Sequence, residues 1–141
     1  MDIYTAKTIL KSLKLDTKQS QALDFLINSA ESKDCFNIPN VNFSICKLSD
    51  RRWETFKEQR IKQGFDETEC WNLDATICKF IIPRLQYFKD HTICYPEDLT
   101  FEKWLDVIDK MIDFFKKYAN DERYDREGLE LFVKYFPDLW W

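Results

Sequence analysis

The sequence predicts an all-α protein, a helical bundle of about five to six helices. Apolar residues recur at three- and four-residue intervals along most of the 141-residue chain, which is the period of an α-helix. Two glycines and four prolines leave few of the turns that a many-stranded sheet needs. The residues are 45% hydrophobic and 33% charged, so we expect a core beneath a charged surface.

The N-terminal third of the chain predicts a helical hairpin followed by a loop. A first helix is expected over about residues 2–13, and Asp16 or the threonine after it is placed to cap a second helix. The helical period is lost over residues 31–48, which predicts a loop-rich segment. Residues 49–141 are predicted to form the main helical domain. Residues 1–48 either pack with this domain or form a separate appendage.

The next two helices are predicted to form a central antiparallel hairpin. The third helix covers about residues 49–63 and ends at Gly64, which can adopt the left-handed conformation of a C-terminal cap. The fourth helix follows almost at once, over about residues 66–89, and contains Pro83. Because the turn between them is so short, the two helices are expected to run antiparallel.

Two further helices complete the predicted bundle. Thr100 is placed to cap a fifth helix over about residues 101–118, whose apolar residues fill about half of its circumference. A last helix is expected over about residues 123–136, and Pro137 ends it. Gly128 lies early in this helix and is expected to weaken its first turns.

The fifth helix carries four carboxylates along one edge of its apolar face. Carboxylates at successive helical turns can hold Mg²⁺, as in all-helical nucleotide pyrophosphohydrolases. They also form solvated faces that pair with lysines at i,i+4, and we favour this interpretation because no second helix offers an equally clear acidic partner. We call this set the carboxylate stripe: Glu102, Asp106, Asp109 and Asp113.

Two charged residues fall within the apolar arc of the fourth helix. The polar arc of this helix is narrow, so most of its circumference is expected to be buried, and Asp74 and Arg84 then each need a partner. The hairpin would bring Arg60 level with Asp74, which predicts an Arg60–Asp74 ion pair. These charges either fix the helix register, or Arg60 and Arg84 line, with Trp71, a pocket for an anionic group that arginine would bind bidentately.

Several other functions are disfavoured by composition. The scarcity of glycine excludes the glycine-rich loops that cradle phosphate. A net charge of −4 with a pI near 5.1 argues against nucleic-acid binding. The sequence contains neither the run of about eighteen apolar residues that spans a bilayer nor a signal-peptide core. We therefore expect a cytosolic protein that does not cross a membrane.

The cysteines and the single histidine offer little catalytic chemistry. The five cysteines are odd in number and lack a C-x-x-C spacing, which favours reduced, partly buried thiols. His91 and Cys94 could act as base and nucleophile, but the sequence supplies no third residue to orient them. We therefore name no catalytic residue and no required cofactor.

The C-terminal residues concentrate aromatic side chains. Trp140 and Trp141 follow shortly after Phe136 and Pro137. Large aromatic side chains at the end of a chain either pack back onto the domain or anchor an interface with another protein. The two tryptophans are therefore candidate binding residues.

Three motifs in the second half of the chain carry a resemblance to a known family. They are W-N-L-D at 71–74, P-R-L at 83–85 and W-x-x-x-x-D-K-M-I at 104–112. With these motifs, the region over about residues 60–115 resembles a family of small, uncharacterised proteins found in bacteriophage genomes. The resemblance implies a phage accessory protein in the bacterial cytoplasm, and Asp74 and Arg84 fall within its motifs.

These observations lead to two functional hypotheses. The first is a phage-encoded protein that binds and modulates a host bacterial protein, as an inhibitor of host metabolism or of an antiphage defence. The second is a nucleotide-binding protein that sequesters a small nucleotide signal or hydrolyses it with Mg²⁺. Homo-oligomers are compatible with both hypotheses.

Overall fold

The computed structural model describes residues 8–9, 12, 16–23 and 34–140. Within these residues the protein is all-α and contains no strand, which confirms the predicted fold class. None of the helices in this described part combines the length and apolar character needed to span a bilayer. From residue 53 onward, the helices are α1 (Trp53–Gln63), α2 (Thr68–Trp71), α3 (Leu73–His91), α4 (Phe101–Ala119), α5 (Glu127–Lys134) and a 3₁₀ helix (Phe136–Asp138).

The chain divides into two compact units, Met1–Trp71 and Asn72–Trp141. Sequence analysis placed a boundary after residue 48, and whether residues 1–48 form a separate appendage stays a prediction. The predicted hairpin of the third and fourth helices would join the two units, and it also stays a prediction.

The first unit confirms two predicted helix ends. The backbone N–H of Gln19 donates to Asp16 Oδ1 at 2.9 Å, and the Gln19 side chain accepts from the Asp16 N–H at 3.1 Å, which caps the helical residues 17–23. Gly64 has φ 87° and donates its N–H to the Arg60 carbonyl at 2.8 Å. The described residues 34–48 are turns and irregular backbone, as predicted. The rest of the first two predicted helices lies outside the described residues.

The predicted fourth helix is in fact two helices. α2 ends at Trp71 and α3 begins at Leu73, because Asn72 has the non-helical dihedrals φ −128° and ψ 68°. Asparagine readily adopts such a conformation at a helix start, and the Asn72 carbonyl accepts the first N–H of α3, from Thr76, at 3.1 Å. The break separates the two units.

In the second unit, α4 packs against both α3 and α5. Its N-terminus is capped as predicted, because Thr100 Oγ1 accepts from the Lys103 N–H at 3.4 Å. The half-apolar circumference of α4 supplies most of the core, at Trp104, Ile108, Met111, Ile112, Phe114 and Phe115. α4 is therefore the central helix of this unit.

α5 is shorter than predicted and Gly128 has a different role from the one expected. Residues 121–126 are not helical, and α5 begins where Asp125 Oδ1 accepts from the Glu127 N–H at 3.0 Å. Gly128 is buried against α4: a Cβ at this position would stand closer than 3.0 Å to the Lys110 carbonyl oxygen and to Phe114 Cβ. The missing side chain therefore allows α5 to approach α4 closely.

Candidate functional site

A buried polar cluster surrounds Arg60 in the first unit. The guanidinium is fully buried, and its Nε donates to Asp34 Oδ1 at 2.7 Å while Nη1 donates to Asp66 Oδ2 at 2.6 Å. It also lies 4.6 Å from the ring centre of Phe36 and 4.8 Å from that of Trp53. Two carboxylates and two aromatic faces therefore compensate this buried charge.

Asp66 is the most enclosed member of the polar cluster. Ser44 Oγ donates to its Oδ2 at 2.5 Å, and the Thr68 backbone N–H donates to its Oδ1 at 3.0 Å. The Thr68 hydroxyl also donates to Oδ1. Burial alone would raise the pKa of Asp66. The hydrogen bonds from Ser44, Thr68 and Arg60 outweigh burial and hold the pKa below its ordinary value.

Glu69 extends the polar cluster toward residues 42 and 43. Its Oε1 accepts from Asn42 Nδ2 at 2.8 Å and its Oε2 accepts from the Phe43 N–H at 3.1 Å. Burial raises the pKa of Glu69 above its ordinary value, although the Phe43 N–H opposes the shift. Together with Asp34 and Ser44, these bonds fasten the irregular segment 34–46 to α1 and α2.

We expect replacement of Asp66 by asparagine to destabilise the first unit at neutral pH and to matter much less in acid. The folded pKa of Asp66 lies below 3.8, so the ionised carboxylate contributes stability above pH 3.8 that is lost as the pH falls through the folded pKa. Urea unfolding of both proteins at a series of pH values measures the difference in the free energy of unfolding. This difference should narrow below pH 3.8.

Glu69 adds a second pH dependence to this measurement. Its pKa is raised above 4.5, so its contribution is present at low pH and is lost as the pH rises through the folded pKa. Ionised Asp66 contributes to this rise, so Asp66→Asn also lowers the pKa of Glu69 and offsets part of the loss of stability at neutral pH. A difference that is the same at every pH would contradict the assignment of Asp66 as an ionised, hydrogen-bonded carboxylate.

Arg60 and Asp74, which the sequence predicts to form an ion pair, each have other partners. Arg60 binds Asp34 and Asp66, while Asp74 lies exposed on α3 and accepts a hydrogen bond from the Tyr118 hydroxyl at 2.8 Å. This hydrogen bond lowers the pKa of Asp74. Arg60 finds its carboxylates within the first unit instead, at Asp34 in the irregular segment and at Asp66 in the turn after α1.

Arg84 and Trp71 are both exposed, contrary to the burial expected for Arg84. The Arg84 guanidinium lies 3.5 Å from the Phe80 ring centre and donates to the Phe80 carbonyl at 2.7 Å. Trp71 contacts Phe56 edge to face in the first unit. The anion pocket of Arg60, Arg84 and Trp71 stays a prediction, and the Arg60 guanidinium is occupied by carboxylates.

α4 covers only one side of α3, which corrects the expectation that most of this helix is buried. Cys78, Leu85 and Phe88 face the core. Four large apolar side chains at intervals of four, three and seven residues are between 45% and 58% exposed. We call this set the α3 stripe: Leu73, Ile77, Phe80 and Tyr87.

The carboxylate stripe forms ion pairs with lysines. Asp109 binds Lys89 at 2.6 Å, and Asp113 binds Lys117 at 2.6 Å with i,i+4 spacing. No group of three or more His, Cys, Asp or Glu side chains that could hold a metal ion occurs in the described part of the chain. The Asp113–Lys117 pair is the kind expected of a solvated face, whereas the Asp109–Lys89 pair joins α4 to α3.

The groups considered for thiol and imidazole chemistry have ordinary surroundings. The His91 ring stacks on Tyr87 with ring centres 3.9 Å apart, and its Nδ1 lies 2.8 Å from the Tyr87 carbonyl oxygen. All five cysteines are free thiols, of which Cys46 and Cys78 are buried. His91 is therefore engaged within its own helix.

A second exposed apolar surface runs along the C-terminal region. Its members lie four, three and four residues apart and are between 38% and 68% exposed. Leu131, Phe132, Tyr135 and Leu139 pack on the opposite side, in or against the core, and hold the surface in place. We call the exposed set the C-terminal stripe: Leu129, Val133, Phe136 and Trp140.

The C-terminal stripe contains one of the two predicted tryptophans. Trp140 is exposed, while Trp141 lies outside the described residues. Sequence analysis missed the other three members, although their spacing of about one helical turn is visible in the sequence. It also missed Asp34 and Asp66 as partners of Arg60.

A cavity of about 240 Å³ lies where α5 begins against α4. It is lined by four carboxylates, one lysine and the rings of Phe114 and Tyr124, whose centres are 5.3 Å apart. Such a lining attracts cations and opposes phosphate groups. The charged residues of this cavity are Asp109, Lys110, Asp113, Asp125 and Glu127.

Comparison with known proteins gives no family assignment. No family model, curated protein sequence or solved structure matches the chain significantly. The function is therefore proposed from the geometry of the described residues and from the phage resemblance of the sequence.

Proposed function

We propose that the chain is a non-enzymatic helical protein that binds and modulates a host bacterial protein, as an inhibitor of host metabolism or of an antiphage defence. The single observation that carries the binding proposal is the C-terminal stripe. The host and the phage origin rest on the resemblance of motifs 71–74, 83–85 and 104–112 to phage proteins.

The C-terminal stripe has the properties of a protein interface. Each exposed square ångström of apolar surface costs about 25 cal/mol in water, so a contiguous set of large apolar side chains is normally covered or functional. The stripe includes Phe136 and Trp140, and large aromatic side chains dominate binding energy at interfaces. Because Leu131 and Phe132 of α5 pack against the core and Tyr135 follows them into it, the stripe is presented on a fixed scaffold.

The charges around Arg60 and in the cavity at the start of α5 are unfavourable for binding phosphate, which supports the proposal that the chain binds a protein. The buried guanidinium of Arg60 already binds two carboxylates. The cavity at the start of α5 is lined mainly by carboxylates, which repel phosphate.

We expect Val133→Asp to abolish capture of a host protein. Val133 is 68% exposed at the centre of the C-terminal stripe, so a carboxylate there disrupts an apolar contact without entering the core. Tagged wild-type and variant chains are incubated with bacterial lysates, and retained proteins are identified by mass spectrometry. The identified protein is then purified, and its affinity for both chains is measured by calorimetry, with a loss of about tenfold or more expected.

Ile77→Asp is the matched control, because Ile77 is a half-exposed apolar residue on α3 in the same unit. It should retain the partner. Equal loss from both variants, or equal binding by all three chains, would contradict the assignment of the C-terminal stripe. Thermal stabilisation of the wild type by a nucleotide with Mg²⁺ would instead support the nucleotide hypothesis.

A further inference from the structure

We infer that the surface bound by the C-terminal stripe is a basic amphipathic helix, an inference that rests on the proposed function. Its apolar side chains would cover the stripe, and a lysine or arginine beside them would enter the cavity at the start of α5. The charge around the stripe, the lining of the cavity and the spacing of the stripe each point to this partner.

The region of the chain that carries the stripe is acidic. Residues 121–140 contain six acidic and three basic side chains, a net charge of −3 within a chain whose total is −4. Glu130 lies next to Leu129 and is exposed, and Asp138 lies between Phe136 and Trp140. Complementary charge steers partners together and sets specificity, so a partner of positive charge is favoured.

The cavity provides a place for one basic side chain. Glu127 and Gly128 line it from the first turn of α5, directly before Leu129 of the stripe. Carboxylates with aromatic faces such as Phe114 and Tyr124 suit an ammonium or guanidinium group.

Lysines already pair with several of the cavity carboxylates. Lys110 binds Glu127, Lys117 binds Asp113, and Lys89 binds Asp109. The Lys110–Glu127 and Lys117–Asp113 pairs are solvent-exposed, and exposed ion pairs contribute only about 0 to 1 kcal/mol. A basic side chain of the partner can therefore replace them at small cost.

The spacing of the stripe favours a helical partner. Leu129 and Val133 lie one helical turn apart on α5, and Phe136 and Trp140 follow, also exposed, beyond the end of that helix. Ridges of this period pack into the grooves of another helix, and amphipathic helices bind through apolar anchors of matching spacing.

A second copy of this chain is disfavoured as the occupant. A symmetric dimer through this surface would place two C-terminal regions, each with a net charge of −3, against each other. Like charges across an interface are repulsive, and the same argument disfavours nucleic acids and anionic membranes.

Two synthetic helical peptides test the inference. Both carry leucine at the same i, i+4, i+7 and i+11 positions, but one has lysine and the other glutamate on the polar face. Their affinities for the full chain are measured by calorimetry at about 50 mM salt, where exposed charges are weakly screened. We expect the lysine peptide to bind at least about tenfold more tightly, and Val133→Asp to weaken its binding at least about tenfold.

The controls separate this inference from the proposed function. Ile77→Asp should bind the lysine peptide as the wild type does. Asp125→Asn should bind this peptide more weakly, because the inference places a basic side chain in the cavity that Asp125 lines. Equal affinity for both peptides, no binding of the lysine peptide, or binding that Val133→Asp does not change would overturn the inference. Val133-dependent capture of an identified host protein alongside failure of the lysine peptide would leave the proposed function standing. Binding of the lysine peptide without capture of a host protein would support the preference of the stripe for a basic helix and would count against the proposed function.

Discussion

Replacing Arg60 by methionine is expected to destabilise the first unit by about 3 to 5 kcal/mol. The wild-type guanidinium is fully buried and binds Asp34 and Asp66 at 2.7 and 2.6 Å. Methionine has a similar length and fills most of the space, but it leaves the carboxylate of Asp66 fully buried without its cation. Urea unfolding gives the free energy, and hydrogen exchange of peptides from each unit shows which unit is affected.

Arg84→Met is the matched control for Arg60→Met. Arg84 is exposed on α3, where its guanidinium lies over Phe80, so the same substitution should have a much smaller effect. Adding Asp66→Asn to Arg60→Met should recover part of the lost stability, because it removes the uncompensated charge. Equal effects of the two methionine substitutions would show that the buried cluster does not stabilise the first unit.

The sequence paired Arg60 with a carboxylate, but not with the ones that bind it. The helical wheel and the cost of burying a charge predicted that Asp74 needs a partner, and the level of residues in the predicted hairpin pointed to Arg60. The actual partner Asp34 lies 26 residues away in a segment without any period. For Asp66, a signal was available, since an aspartate two residues before a threonine at a helix start commonly caps that helix.

The two long helices of the second unit show what periodicity can and cannot predict. α4 has one apolar face, and its burial follows directly from the pattern. α3 is apolar over most of its circumference, and the pattern does not state which part a neighbour covers. The structure covers the side of Cys78 and Leu85 and leaves Ile77 and Phe80 exposed. Exposed apolar surface, the basis of the proposed function, is thus the property that periodicity predicts least well.

Gly128→Ala is expected to destabilise the second unit by about 2 to 3 kcal/mol, the cost of overpacking a close contact. Helix propensity alone would favour alanine by about 1 kcal/mol. The steric effect is the larger one, because the new Cβ meets the Lys110 carbonyl and Phe114 Cβ closer than 3.0 Å. The Lys110 carbonyl belongs to the backbone of α4, and Phe114 Cβ is bonded directly to that backbone. Neither atom can rotate away, so the two helices must separate. Urea unfolding measures the loss.

Leu129→Ala separates the steric effect of position 128 from any general effect of substitution in α5. Leu129 is exposed and immediately follows Gly128, so its truncation should change the free energy of unfolding far less. Gly128→Val should cost more than Gly128→Ala, because the larger side chain forces α5 further from α4. A Gly128→Ala variant more stable than the wild type would mean that propensity outweighs the contact, and that α5 is not held against α4 at this glycine. Because the C-terminal stripe is carried by α5, displacement of that helix should also weaken partner binding while every stripe residue is retained.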